Sequence, residues 1–167
     1  VTLHDLQLTF AKAACGKTFM DRMRRLTDVY ERAWKVTPGE DEAGSLLHEY
    51  GTRNLPQHLM KLEPDSHLGD LLGDIRYVFA RCSLEPEAEV FALLREYFAG
   101  LAFYSDVGVP TQMQHFQRWL QRDASTLADN TLQSFWGLAA SLPDSQAPAQ
   151  QCATIFEGGQ KVPLHDA

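Results

Sequence analysis

From Val90 to Tyr104 the chain carries nine apolar or aromatic side chains of substantial size, interrupted by only two charges, Arg95 and Glu96. Val90, Leu94, Tyr97, Leu101 and Tyr104 recur at helical spacing, and Phe91, Phe98 and Ala102 form a second row beside them. A surface helix has one apolar stripe, so apolar side chains around most of a circumference predict a helix enclosed by others. Pro86 suits the first turn, where its missing N–H costs no intrahelical bond, and Gly108 with Pro110 marks the stop. The class this stretch dictates is all-α, with the helix after Pro86 at the centre. Leu94 and Phe98 are expected in its core, where truncation of either to alanine costs about 2–5 kcal/mol.

The flanking sequence supplies helices to surround it. Leu3, Leu6, Phe10 and Ala13 make a short amphipathic helix that Gly16 can end. Thr18 with Asp21 caps the next, whose stripe is Phe19, Met23, Leu26, Tyr30 and Trp34 and whose opposite face bears Arg22, Arg25 and Arg32. A short acidic helix ends near Gly51, and Asn54-Leu55-Pro56 starts another. Asp65 or Ser66 caps a helix with Leu68, Leu71, Leu72, Ile75, Val78 and Phe79 on one face. After Pro110, Met113, Phe116 and Leu120 face inward with Trp119 at the edge of their stripe. Asp129 or Asn130 then caps a last helix through Leu132, Phe135, Trp136, Ala139 and Leu142.

A chain of 167 residues with 44% hydrophobic residues can bury a core without disulfides or metals. Its net charge of −7 is unevenly spread. Residues 1–35 carry seven Lys/Arg against four Asp/Glu, residues 36–106 five against thirteen, and the remainder three against five. The acidic middle argues against nucleic acid, which requires a continuous basic face. The apolar runs are too short to span a bilayer, and the first residues have no secretory h-region. Cys15, Cys82 and Cys152 lack CxxC spacing and read as reduced thiols in a cytoplasm, with Cys82 in the core.

Catalytic motifs fail on inspection. Gly16-Lys17-Thr18 would end a phosphate-binding loop, but Ala11 stands where the first glycine belongs and the segment has helical period. His48-Glu49 does not open a HExxH, because Thr52 occupies the second histidine's place. No signature surrounds any cysteine.

One acidic arrangement carries a resemblance. His67-Leu68-Gly69-Asp70-Leu71-Leu72-Gly73-Asp74 resembles part of the second acidic helix of MazG-like nucleotide pyrophosphohydrolases, and Glu42-Ala43-Gly44-Ser45-Leu46-Leu47 is similar to the first. That family holds magnesium with Glu-x-x-Glu on one helix and Glu-x-x-Asp on the next, so the resemblance implies an ion held by Glu42 and Asp70, with Asp74 the further acid of the metal reading. Ser45 and His67 stand where that family has two further glutamates, and magnesium loses affinity as hard oxygen ligands are removed. Without a metal, Asp70 and Asp74 are solvated carboxylates one turn apart, or partners of a nearby arginine.

These readings predict an all-α, single-domain multi-helix bundle over residues 1–142 around a central buried helix. Residues 143–167 are read as an irregular C-terminal tail packed on the bundle, with a short hairpin about Glu157-Gly158-Gly159. The expected function is a cytoplasmic protein–protein interaction module (an adaptor, chaperone, immunity or regulatory protein) without catalytic activity or cofactor. Its partner is another protein, neither nucleic acid nor membrane, and self-association is left open. Arg22, Arg25, Arg32 and Trp119 are the candidate contacts. The alternative is a divalent-metal-dependent nucleotide pyrophosphohydrolase-like helical protein using Glu42, Asp70 and Asp74.

Overall fold

The computed structural model describes residue 18 and residues 20–32, 42–62 and 67–158, with only the backbone described for 42–47 and 130–132. The stripe from Leu3 to Ala13, Trp34, the caps Asp65 and Ser66, and Gln160-Lys161-Val162 lie outside the described residues. Every regular element among the described residues is helical, so the chain is all-α. It divides into two compact units, Val1–Glu63 and Pro64–Ala167.

In the first unit, α1 (residues 20–32) and α2 (Glu42–Leu59) are described. Met23, Thr27 and Tyr30 are the buried face of α1, at the spacing of one helical stripe. The Tyr30 ring lies 5.6 Å from the rings of both Tyr50 and His58. Gly51 admits it: a Cβ there would stand 3.2 Å from the Tyr30 ring. Gly51 therefore serves close approach and does not stop the helix, and α2 runs on through Pro56. Pro56 removes the N–H that would bond the Thr52 carbonyl. Nearby side chains strengthen the same turns, with Thr52 Oγ1 donating to the His48 carbonyl (2.7 Å) and Asn54 Nδ2 to that of Tyr50 (2.8 Å).

The second unit contains α3 (Leu68–Leu72), α4 (Ile75–Leu84), α5 (Pro86–Phe103), α6 (Thr111–Ala140) and α7 (Ala147–Glu157). The stripe from Leu68 to Phe79 is interrupted at Gly73-Asp74, because Asp74 turns extended and caps α4 by accepting the Arg76 N–H. Side chains from elsewhere satisfy the break. Ile75 N–H donates to Gln151 Oε1 (2.8 Å), Gln151 Nε2 donates to the Gly73 carbonyl, and the Tyr97 hydroxyl donates to the Leu72 carbonyl. Gly69 N–H donates to the Tyr104 hydroxyl (2.9 Å).

Helix α5 starts with Pro86 in its first turn and ends at Tyr104, and the reversal into α6 uses Gly108 at a φ of 94°, a conformation that favours glycine. Its burial is one-sided: Val90, Leu93, Leu94 and Tyr97 are enclosed, whereas Phe91 and Phe98 are 49% and 51% exposed. Helix α5 is not the hub: α4 and α6 each pack against all four other helices of this unit, α6 against α3, α4, α5 and α7. At 30 residues α6 also runs straight through Asp129 and Asn130. Phe116, Leu120, Leu127 and Phe135 keep one buried phase along it, so packing overrides the local capping preference of those two residues. The segment read as a tail is α7, with Pro148 in its first turn and Ala149 and Cys152 buried, packed on α6 and α4. No hairpin forms up to Gly158, since Thr154, Ile155 and Phe156 are helical.

Candidate functional site

The arginine face of α1 is built by helical phase. Arg22, Arg25 and Arg32 all point away from the Met23–Thr27–Tyr30 face and are exposed. Val29, at 45% exposure, sits among them, giving a file at i, i+3, i+7 and i+10. Arg24 pairs with Asp21 at 3.6 Å. Among the described residues neither Arg22, Arg25 nor Arg32 makes an ion pair. Trp119 does not join this chemistry. It is 1% exposed, with its ring edge-to-face against Phe116 (5.9 Å) and Phe135 (5.0 Å) in the core of the second unit. Trp119 does lie at the edge of the stripe in helical phase, about 60° to one side of Phe116 with Leu120 about 40° to the other, but that edge is enclosed, so Trp119 is not an exposed contact residue.

Asp70 and Asp74 line one open cleft of about 460 Å³, together with Gly73, Ile75, Arg76, Gln112, Gln151, Thr154 and Ile155. Asp74 is committed to protein donors. Its Oδ1 accepts from the Arg76 backbone (2.9 Å) and Nε (3.1 Å), and its Oδ2 from Arg76 Nη2 (2.9 Å). This fork holds the Arg76 guanidinium above its ordinary pKa, hydrogen bonding first and charge second. Asp70 stands 3.5 Å from His67 Nδ1 with both side chains largely in solvent. The Glu42 side chain lies outside the described residues. Among the described residues no group of three or more His, Cys, Asp or Glu is arranged to hold a metal ion.

The strongest electrostatic feature was not anticipated. Arg81 on α4 is 3% exposed and lies between Glu89 (4%) and Glu96 (6%) on α5. Its Nε donates to Glu89 Oε2 and its Nη2 to Glu96 Oε1 at 3.2 Å. Burial opposes the guanidinium's charge, but Tyr77, Glu96 and Glu89 together outweigh it and raise the Arg81 pKa. Burial likewise pushes the Tyr77 and Tyr97 hydroxyls up. Glu89 and Glu96 share the phase of Leu93 on the buried side of α5, which was the signal available in the sequence. All three charges are shut from solvent, so the cluster joins two helices and offers nothing to a substrate.

Cys82 and Cys152 are free and buried. Burial pushes the Cys82 thiol up to about 12 from 9.0. Between those values an unfolded chain releases the proton and the folded one keeps it. The native state therefore holds its full advantage below pH 9 and loses it as pH rises towards the folded value. Unfolding free energy should fall by up to about 1.4 kcal/mol per pH unit from this group. Chemical denaturation from pH 8 to 10.5 should give a shallower fall for Cys82→Ala than for the parent. Equal slopes would mean that the thiol ionises in the folded protein as freely as in the unfolded one.

Compared with protein-family models, curated proteins and solved structures, the chain matches none.

Proposed function

We propose that the chain is a non-catalytic protein–protein interaction module of the cytoplasm, an adaptor, chaperone, immunity or regulatory protein, that docks an acidic protein surface on α1. The observation that carries this reading is the file of Arg22, Arg25, Val29 and Arg32: three exposed guanidiniums without an ion pair among the described residues, around an exposed apolar side chain. Guanidinium forks suit carboxylates, and a small apolar centre with a charged rim is how polar docking faces are built. Two supports concern setting. Cys82 and Cys152 remain free thiols in the core, as a reducing compartment allows, and no helix among the described residues is long and apolar enough to cross a membrane.

The test is the double variant Arg22→Glu/Arg25→Glu. Neither residue contributes an ion pair within the described protein, so the melting temperature should change by less than about 2 °C, as for an ordinary surface substitution. At native expression level, a co-purifying protein should be retained by the parent at low salt, released at high salt, and absent from the variant. Co-purification that survives the reversal, or a parent that retains nothing at low salt, would sink the reading. A large fall in stability would show that the two arginines serve the fold.

A further inference from the structure

The open side of α5 is a single file: Glu87, Phe91, Arg95, Phe98 and Ala102, all exposed and spaced four, four, three and four residues apart. Phe91 and Phe98 are each about half exposed, at 49% and 51%, although the opposite side of the same helix is closed. Among the described residues neither Glu87 nor Arg95 makes an ion pair. They cannot satisfy each other within one copy. Eight residues at 1.5 Å rise put them about 12 Å apart along the axis.

The order of charges decides what fits this file. Acid, aromatic, base at equal spacing is self-complementary on reversal. If a second α5 is laid antiparallel with the two-fold axis at Phe91, Glu87 of each copy faces Arg95 of the other, and Phe91 faces its own mate. Phe98 of each copy then lies beyond the first turn of the other copy's α5, which begins at Pro86. An isologous contact uses one patch twice, so a single acid–base file satisfies all four charges and covers the Phe91 ring of each copy. The alternative antiparallel register, Phe91 against Phe98, covers both rings but sets Glu87 opposite Ala102 and brings Arg95 level with Leu94 on the closed side, so neither charge meets an opposite one.

We infer that the open face of α5 is a homodimer surface, occupied by the same face of a second copy of this chain, antiparallel and centred on Phe91, with reciprocal Glu87–Arg95 pairs. This is independent of the arginine face on α1. A contact confined to one helix per copy falls short of the ~1,200 Å² of a standard stable interface. The dimer is accordingly weak, populated at high micromolar concentration, and exchanges readily with monomer.

The experiment is sedimentation equilibrium of the full chain from about 5 µM to 1 mM at low salt, on four samples: the parent, Glu87→Arg, Arg95→Glu, and an equimolar mixture of the two variants. Each single reversal removes two attractions and adds two repulsions, which should weaken self-association roughly tenfold. Mixing the two variants restores both pairs, so the mixture should dimerise about as well as the parent, and added salt should weaken parent and mixture alike. Melting curves of each variant show that a loss of dimer is not a loss of fold. A parent that stays monomeric to 1 mM overturns the proposal. So does a dimer indifferent to both reversals, which would place the contact elsewhere or in the Phe91–Phe98 register. Failure of the mixture to recover, with both variants folded, overturns the reciprocal pairing.

Discussion

Replacing Arg81 by methionine should destabilise the second unit by about 3–5 kcal/mol, far beyond what the lost packing alone would cost. The guanidinium is 3% exposed and is the cation for two buried carboxyl side chains, Glu89 at 4% and Glu96 at 6%. Methionine fills comparable space but takes from both acids the cation they pair with in a low-dielectric interior. Solvating them means opening the α4–α5 contact, and neutralising them means binding protons that the unfolded chain at pH 7 does not hold. The companion variant separates charge from shape. Substituting all three positions at once, Arg81→Met with Glu89→Leu and Glu96→Met, leaves no orphaned charge and should recover most of the loss. Buried ion clusters exchanged whole for apolar groups are often neutral or better. Urea unfolding followed by tryptophan emission suits the measurement, because Trp119 and Trp136 both lie in this unit. If Arg81→Met costs less than about 1 kcal/mol, water reaches the cluster and its role in joining the helices is wrong.

The same cluster shows where sequence reading stops. Helix α5 itself was legible: Pro86 opens it, the apolar spacing runs to Tyr104, and Gly108 turns the chain at positive φ. Which side would be covered was not, because a helix apolar nearly all round contains no marker of its own solvent face. Glu89 and Glu96 share the buried phase of Leu93, but a carboxylate in a core becomes credible only with a cation opposite, and Arg81 comes from a different helix. Helix α7 escaped for another reason. Ala147, Pro148, Ala149 and Cys152 are small side chains, so their buried face lacks the bulk by which a core stripe is recognised. On α1 the exposed side bearing Arg22, Arg25 and Arg32 was legible because Met23 and Tyr30 mark the opposite side, although Thr27 completes the buried face where the apolar stripe had put Leu26, which is only partly buried. Asp70 and Asp74 line one cleft, but they are not carboxylates one turn apart on a single helix, because α3 ends before Gly73 and Asp74 is the extended cap of α4. What spacing could not convey is that Asp74 is consumed locally, as cap of α4 and partner of Arg76.

Truncating Phe135 to alanine should cost about 3–5 kcal/mol, whereas the same change at Phe98 should cost no more than about 0.5 kcal/mol at low micromolar protein. The sequence alone ranks these two positions the other way, since Phe98 lies in the most apolar stretch and Phe135 in a mixed one. Geometry reverses the order. Phe135 is fully buried, and its ring centroid stands 5.1 Å from Phe79, 5.0 Å from Trp119 and 5.3 Å from Trp136, each contact edge-to-face. Removing it opens a cavity where α4 meets α6 and takes away the shared neighbour of three large rings, none of which can collapse inward without leaving its own contacts. Phe98 is half in solvent and has no comparable ring contact among the described residues, so its loss exposes little that was not already wet. Urea midpoints of the two variants, measured side by side with the parent, decide the ranking. The Phe135→Ala sample should also show altered tryptophan emission before unfolding, because its cavity borders both indoles. If Phe98→Ala proves the more damaging of the two, α5 is enclosed after all and its open file does not exist.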